Sequence, residues 1–140
     1  MDTDGDSLPL QLRYSDFDDQ GVLNNAVYLS LFELGRVHLL KGLLSDAFLG
    51  TRILVAHIDV DYLRPVTLRQ TVDHDSFIPA KCRTGISSVG NTSLTFAQAL
   101  YILNSEDPVA RCRTIAVLID DHGKKRQVPE EIRERLGRQE

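Results

Sequence analysis

Hydrophobic side chains recur along this chain with two different periods, and the change of period divides the chain into elements. From about Asn25 to Leu43, apolar residues return every three or four positions, which is the spacing of one face of an α-helix. Beyond Gly50 the spacing becomes two, which is typical of β-strands with one buried face. The pattern therefore predicts one long helix followed by a series of strands.

Turn-forming residues separate the strand-like runs from one another. A short alternating run over 8–15 precedes the long helix, and a short helix with Pro129 in its first turn is predicted within 128–139. After the long helix, the predicted runs cover 51–65, 67–80, 81–90, 92–104 and 108–121, and Pro65, Pro79, 89–91 and 107–108 mark their boundaries. In the first of these runs, one face is expected to carry Leu54, Ala56, Ile58, Val60 and Tyr62.

This order of elements predicts the fold class. One long, largely apolar helix beside an antiparallel sheet must be covered by that sheet, which gives an α+β domain with the sheet wrapped around a central helix. Residues 1–7 are small, polar and acidic, so they are expected to be disordered. Residues 8–140 are expected to form a single domain, with no internal repeat and no linker.

The predicted helix carries more apolar surface than a single sheet covers. Additional apolar residues lie outside its main stripe, namely Leu29, Leu34, Val37, Leu40 and Leu43. A second copy of the chain would cover this surface or an exposed sheet edge. We therefore expect a homodimer or a homotetramer.

Composition and charge narrow the function classes. A length of 140 residues suits one domain, and a net charge of -4 gives no basic face for nucleic acid. No run approaches the roughly 18 apolar residues of a membrane span, and the acidic N-terminus lacks the pattern of a signal peptide, so a cytoplasmic protein without a membrane partner is expected. Cys82 and Cys112 are isolated, and the four histidines have no ligand spacing, so neither a metal nor a cofactor is expected.

The segment from Ser15 to Arg36 places several carboxylates, a glycine and two asparagines directly before the long helix. The first turn of a helix offers N–H groups without backbone partners at the positive end of the helix dipole, which suits the polarisation of a carbonyl group. Asn24 or Asn25 is a good N-cap. From the pattern alone, a carboxylate at this place is more simply a loop residue that favours the helix dipole.

The same segment resembles the signature of acyl-CoA thioesterases of the hot-dog fold, the 4-hydroxybenzoyl-CoA thioesterase-like family. The matching residues are Arg13, Asp16, Asp18, Gly21, Asn25, Tyr28, Glu33 and Arg36. Later segments at 58–66, 87–101 and 114–136 are similar to the family's second strand, central hairpin and closing strand with helix, so the resemblance covers 8–136. It implies a hot-dog fold and the hydrolysis of an acyl-CoA thioester.

The resemblance also implies roles for individual residues. Asp18 stands at the family's catalytic position, where it would attack the thioester carbon or activate water as a general base. The amide of Asn25, at the start of the helix, would polarise the carbonyl. Gly21, Tyr28 and Arg64 are the candidate substrate contacts, with Gly21 permitting a positive φ or a close approach. The simpler interpretation of Tyr28 is a core residue whose hydroxyl needs one partner. Asp16 and Asp19 are assigned to structure.

Two positions leave alternatives open. Val22 stands where many relatives have histidine, a departure that affects which acyl groups fit. Glu33 is expected to be an i,i+3 partner of Arg36, or to form an ion pair across a dimer interface. It is also the alternative catalytic carboxylate, because some hot-dog thioesterases use a helix glutamate in this register.

The substrate and its carrier also remain open. Basic residues that would meet the phosphates of coenzyme A are more simply solvated charges, namely Arg64, Lys81, Arg83 and Arg111. The alternative functions on the same fold are a non-catalytic acyl-CoA or acyl-binding module and a thioesterase acting on acyl carrier protein. A serine hydrolase and a dehydratase are disfavoured, because the chain has no recognisable Ser–His–Asp arrangement and no histidine at the loop–helix junction.

Overall fold

The long helix forms where the periodicity predicts it. In a computed structural model that describes residues 6–43, 50–71 and 78–136, helix α1 is Asn25–Leu43. Its N-cap is Asn24, whose Oδ1 accepts a hydrogen bond from the Ala26 N–H at 3.0 Å and so satisfies one of the first-turn donors. The predicted helix is confirmed, and Asn24 is the residue of the pair that caps it.

Five strands form one antiparallel sheet beside α1. They are β1 (Asp6–Leu12), β2 (Arg52–Tyr62), β3 (Ile78–Val89), β4 (Ser93–Ile102) and β5 (Ala110–Ile119). Their order across the sheet is β1-β3-β4-β5-β2, which leaves β1 and β2 at the edges. The remaining described elements are a 3-10 turn at Tyr14–Asp16 and two short α-helices, α2 (Leu68–Thr71) and α3 (Glu130–Leu136). Strand β1 begins two residues before the predicted alternating run.

Helix α1 packs across the inner face of the sheet, where it contacts β1, β3 and β4. The side chains between them form the larger hydrophobic cluster, which includes Leu12, Phe32, Ile78 and Leu100, each almost completely buried. Helix α3 covers a second cluster at the other end of the sheet, around Phe96, Leu118 and Ile132. The predicted α+β arrangement is confirmed.

Helix α1 lies very close to the sheet at Gly35. A Cβ on this residue would lie 2.6 Å from Cys82 Sγ, 2.7 Å from Thr84 Oγ1 and 2.9 Å from Gln98 Nε2. From this position Gln98 Nε2 donates hydrogen bonds to the carbonyl oxygen of Phe32 at 2.7 Å and to Thr84 Oγ1 at 3.0 Å. Only a residue without a side chain allows the helix to approach β3 and β4 so closely.

One part of the predicted strand pattern is wrong. The sequence predicts a strand over 67–80, but Leu68–Thr71 is the short helix α2, and β3 begins only at Ile78. Pro79 lies inside β3 as its second residue, so it is not the boundary that the sequence predicts. A proline is tolerated near a strand end because few ladder hydrogen bonds are lost there. Residues 72–77, including His74, lie outside the described residues.

A β-bulge changes the inward face of β2. Val55 is opposite Ala116 and His57 is opposite Ile115, so Ala56 is the extra residue. Before the bulge, Ile53 is half-buried and Leu54 is exposed; after it, Ile58 and Val60 are the half-buried residues. The predicted apolar face is therefore correct from Ile58 onward and wrong for Leu54, because a period of two does not reveal an inserted residue.

Replacement of Gly35 tests the close contact between α1 and the sheet. We expect Gly35→Ala to destabilise the fold by about 1–3 kcal/mol, since the new methyl group overlaps three side chains. The matched control is Gly42→Ala in the same helix, where a Cβ meets nothing within 4 Å and a gain of up to about 1 kcal/mol is expected. Urea unfolding measures both; equal effects of the two substitutions would contradict the close contact.

The two buried thiols give a second prediction. Burial raises the pKa of Cys82 to about 11, despite opposing hydrogen bonds from Thr84 and Gln98, and burial also raises the pKa of Cys112. Both groups therefore remain thiols at pH 8, and we expect Ellman's reagent to label them about a hundredfold more slowly than an exposed cysteine. In urea, where the protein is unfolded, the same reagent is expected to label both cysteines rapidly. Rapid labelling of the native protein would contradict their burial.

Candidate active site

Asp16 holds the bend that leads from β1 towards α1. It is buried, and its Oδ2 accepts the Arg13 N–H at 2.8 Å while its Oδ1 lies 3.2 Å from Arg13 Nη2. Its carbonyl oxygen accepts the N–H of Asn24, the helix cap, at 3.0 Å. Asp16 therefore positions the start of the helix, in agreement with its predicted structural role.

Asp18 lies two residues further on and is exposed. Its Oδ1 accepts hydrogen bonds from the N–H groups of Gln20 at 2.9 Å and Val22 at 3.0 Å, which close a tight loop around the carboxylate. Gly21 in this loop has a φ of 72°, the positive value that its sequence position suggested. Among the described residues, none donates to Asp18 Oδ2, so one oxygen of the carboxylate is held and the other is available.

The start of α1 presents an available donor. Because Asn24 Oδ1 accepts the Ala26 N–H, that first-turn donor is used. Within the described residues the Asn25 N–H has no acceptor, and the side chain of Asn25 is exposed. An unpaired N–H at the positive end of a 19-residue helix is suited to a carbonyl oxygen that gains negative charge.

A cleft of about 250 Å³ opens at this helix start. Its lining is largely apolar and comes from the loop, from α1 and from the end of β2, namely Val22, Leu23, Asn25, Tyr28, Tyr62, Leu63, Arg64 and Pro65. Three predicted site residues, Asn25, Tyr28 and Arg64, are thus brought together. Asp18 and Gly21 belong to the adjoining loop and do not line the cleft.

Tyr28 forms the inner wall of the cleft. It is almost fully buried, and its ring meets that of Tyr62 edge to face, with centroids 4.9 Å apart and planes at 85°. Burial, and to a smaller extent Tyr62, raises the pKa of Tyr28, so its hydroxyl stays protonated at neutral pH. The Tyr28 hydroxyl has no hydrogen-bond partner among the described residues. Because no fully buried polar side-chain atom in these residues lacks a partner, the hydroxyl must be accessible, and it can donate a hydrogen bond into the cleft that Tyr28 lines.

Arg64 lies at the rim of the cleft. Its Nη2 is 3.5 Å from Asp107 Oδ2, and both side chains are more than half exposed, so this pair is weak. The other basic residues considered for coenzyme A do not line the cleft. Arg83 and Arg111 are both register partners of Ala99 across the sheet, and Lys81 lies 5.3 Å from the ring centroid of Tyr101.

Glu33 is separated from the cleft. It is exposed, and it lines a second, smaller pocket of about 100 Å³ together with Arg36. In the described part of the chain Glu33 forms no ion pair, and Arg36 instead donates from Nη1 to Gln98 Oε1 at 3.2 Å and Thr114 Oγ1 at 3.3 Å. The predicted i,i+3 pair between Glu33 and Arg36 is therefore wrong within one chain, because Arg36 turns inward to the sheet.

The cleft contains residues that the sequence interpretation did not assign. Tyr62, Leu63 and Pro65 flank Arg64 at the end of β2, and their proximity to Arg64 in the chain was the available signal. Across 6–43, 50–71 and 78–136, no group of three or more His, Cys, Asp or Glu side chains is arranged to hold a metal ion. In the same residues, no helix combines the length and apolar character needed to cross a membrane.

Comparison with known proteins identifies the family. The family model of the thioesterase-like superfamily matches residues 12–136. Among curated proteins, the chain is 27% identical over 131 residues to the chloroplast acyl-acyl carrier protein thioesterase ATL3 of Arabidopsis thaliana, covering 91% of this chain and 65% of that protein. It is 22% identical over 134 residues to ATL2 of the same plant, covering 93% and 67%. The chain thus spans about two thirds of the length of these relatives.

Similar solved structures agree with the family match. A thioesterase from Thermus thermophilus, crystallised with coenzyme A and Zn, has a TM-score of 0.77 and 27% identity, with 95% of this chain and 92% of that chain covered. A predicted thioesterase from Bacillus stearothermophilus has a TM-score of 0.76 and 26% identity, with 95% and 94% covered. The hot-dog fold is confirmed by these likenesses and by the five-stranded sheet around α1. The family match over most of the chain shows that this protein belongs to the thioesterase-like superfamily.

Proposed function

We propose that this protein hydrolyses an acyl-CoA thioester to a free acid and coenzyme A, at the cleft beside the start of α1. The observation that carries the proposal is the unpaired Asn25 N–H at the opening of an apolar cleft, next to a loop that holds a carboxylate. Hydrolysis of a thioester needs a hydrogen-bond donor for the carbonyl oxygen. It also needs a group that either attacks the carbonyl carbon itself or activates a water molecule to do so.

In the proposed reaction, an oxygen nucleophile adds to the thioester carbon and the carbonyl oxygen becomes an oxyanion. The Asn25 N–H donates to that oxyanion; one such donor contributes about 2.7–4 kcal/mol to transition-state stabilisation in studied enzymes. The C–S bond then breaks, the carbonyl reforms, and the sulfur leaves as a thiol after gaining a proton. The Tyr28 hydroxyl is a second donor at the cleft wall, suited to positioning the acyl group.

Asp18 supplies the carboxylate, either as the attacking group or as the general base for water. With Oδ1 bound by two loop amides, the carboxylate has a defined orientation and Oδ2 remains for the reaction. If Oδ2 attacks, an acyl-aspartyl anhydride forms and water hydrolyses it. If Asp18 is the base, Oδ2 takes one proton from water as the hydroxide adds to the thioester carbon.

The carrier of the acyl group is proposed to be coenzyme A, supported by the coenzyme A bound to the Thermus thermophilus relative. Acyl carrier protein is the second candidate, because both Arabidopsis relatives are named for it. A non-catalytic acyl-binding module on the same fold is the third; it would have no use for the oriented carboxylate of Asp18.

The proposed setting is a homodimer or homotetramer in the cytoplasm. Apolar side chains that remain exposed on one chain support an assembly, among them Leu29 and Val37 of α1 and Val55 of β2. The two free, buried cysteines are compatible with a reducing compartment.

Replacement of Asp18 tests the catalytic assignment. In Asp18→Asn the amide oxygen still accepts from Gln20 and Val22, so the loop is retained while the reactive carboxylate oxygen is lost. We expect kcat for a panel of acyl-CoA esters to fall by about a hundredfold or more, with KM changing little. The matched control is Asp19→Asn at the neighbouring exposed position, which is expected to keep full activity.

The assay follows the released thiol spectroscopically, with the protein alone as the blank for its own cysteines. An unchanged kcat in Asp18→Asn would remove Asp18 from the mechanism. If wild-type protein hydrolysed none of the esters but bound them in a calorimeter, the acyl-binding module would be the better function.

Replacement of Arg64 tests whether coenzyme A is the carrier of the acyl group. If this rim arginine meets a phosphate of coenzyme A, Arg64→Ala raises KM for acyl-CoA about fivefold and leaves KM for the same acyl-pantetheine, which lacks the nucleotide, unchanged. Arg111→Ala, on a sheet residue outside the cleft, is the control with no expected effect. A preference of wild type for acyl carrier protein over coenzyme A would favour the second candidate.

A further inference from the structure

The outer face of the sheet, which points away from α1, carries a group of four cations. In β3 and β5 buried side chains alternate with more exposed ones, so the residues between the buried ones face outward. Helices α1 and α3 pack against the inward-facing side chains, on the opposite side of the sheet. The outward-facing cations, called the cationic patch from here on, are Lys81, Arg83, Arg111 and Arg113.

The register of three neighbouring strands places these cations around a floor of small residues. Ala99 of β4 has Arg83 as its register partner on one side and Arg111 on the other. Two residues earlier in β4, Ala97 has Arg113 as a partner. Since neighbouring strands lie about 4.8 Å apart, the cations of β3 and β5 form two rims about 10 Å apart. The cationic patch is therefore a shallow trough that runs along β4.

Little negative charge opposes the patch within the chain. In the described part of the chain, neither Lys81 nor Arg111 has an ion-pair partner, and Lys81 Nζ lies over the ring of Tyr101. Arg113 Nη1 is 3.8 Å from Asp59 Oδ2, but both side chains are more than half exposed, so this pair is weak. A chain with a net charge of -4 thus has a local positive potential on this face.

The spacing of the cations favours an extended acidic ligand over a compact anion. Arg111 and Arg113 are two residues apart in one strand, which separates their Cα atoms by about 7 Å, and Arg83 lies about 10 Å away across the trough. One phosphate group contacted by all three would draw their like charges together. Carboxylates spaced along a ligand can pair with each guanidinium where it stands.

An α-helix has the dimensions that the trough requires. Its diameter with side chains is about 10–12 Å, and side chains at i and i+4 are separated by about 6 Å along its axis. A helix with small side chains towards Ala97 and Ala99 can therefore lie between the two rims. Acidic residues on its flanks then face the arginines of both rims.

The border of the patch distinguishes such a helix from other anionic partners. Asp61 is the register partner of Arg111, and Asp59 is that of Arg113, so carboxylates follow the edge strand β2 beside the patch. A flat anionic membrane would meet these carboxylates together with the cations, whereas a helix in the trough covers the cations alone. A second copy docked through the same patch would oppose its cations to identical cations.

We propose that the cationic patch is a docking surface for an acidic α-helix of another protein, which lies along β4 with its carboxylates paired to the arginines of both rims. The cleft is on the other face of the sheet, where Tyr62 meets Tyr28 of α1. The inference is therefore independent of thioester hydrolysis, and its test measures binding alone.

The test uses a synthetic alanine-rich helical peptide as the probe, with glutamates in i,i+4 pairs on both sides of a stripe of alanines. The control peptide has glutamine in place of every glutamate. We expect the full-length protein to bind the acidic peptide about tenfold more tightly than the control peptide in fluorescence anisotropy. Affinity for the acidic peptide is expected to fall as the salt concentration rises, because salt screens exposed charges.

Replacement of one rim residue tests the position of the docking surface. Arg111→Glu places a carboxylate in the rim and is expected to raise the dissociation constant of the acidic peptide about tenfold. Lys124→Glu is the matched control, because it makes the same charge change at an exposed position in the turn after β5, and we expect unchanged binding. Lys81→Glu is a second, exposed patch variant, used if circular dichroism shows that Arg111→Glu does not fold.

Three outcomes would overturn the proposal. The first is that the acidic peptide does not bind, or binds no better than its glutamine control. The second is an unchanged dissociation constant in a folded patch variant. The third is a preference for another anion: tighter binding to vesicles of phosphatidylcholine and phosphatidylserine would indicate a membrane surface, and displacement of the peptide by millimolar inorganic phosphate, but not by equal ionic strength of sodium chloride, would indicate a compact anion site.

Discussion

Gln98 reaches from β4 to the carbonyl oxygen of Phe32 in α1, and it can do so because Gly35 has no side chain at the point where helix and sheet meet. The amide of Gln98 bonds at the same time to Thr84 and, through its oxygen, to Arg36. This buried polar contact sets the distance between α1 and the sheet, and every side chain on the helix is placed relative to it. A fully satisfied network of this kind specifies one packing arrangement more strongly than apolar contacts alone.

The position of α1 determines what each end of the helix presents. Its first turn directly follows the loop between Asp16 and Asn24. Two backbone hydrogen bonds attach that loop to the segment after β2: the Leu23 N–H donates to the Val66 carbonyl oxygen, and the Leu68 N–H donates to the Gly21 carbonyl oxygen. The same segment supplies cleft residues, so the loop, the helix start and the cleft wall form one connected unit. Half-way along α1, Arg36 extends the Gln98 network to the surface pocket. The candidate active site and the pocket at Arg36 therefore depend on one helix.

Local patterns predicted much of this structure, and their failures have a physical cause. The periodicity and the asparagine cap predicted α1 to the residue, because both act within a few positions of the helix ends. The run over 67–80 looked like a strand, yet Leu68–Thr71 is helical and tied to Gly21. The bulge at Ala56 was also invisible, since it arises from the pairing of β2 with β5. The motif around Asp18 predicted the region of the candidate site, but no periodicity indicated that Tyr62 and Leu63 would line its cleft.

By itself, the sequence determined the limits of the long helix, most of the strands and the stretch of chain that carries the candidate site. Periodicity, caps and turn residues depend on interactions between residues close in the chain, so they can be recognised in the sequence before the fold is known. Only the tertiary structure decided that Asp16 is buried and Asp18 exposed, and that Arg36 bonds to the sheet and not to Glu33. The acceptors of Arg36 lie 62 and 78 residues away in the chain, on two different strands. Burial and pairing at that separation exist only once the sheet has formed around the helix.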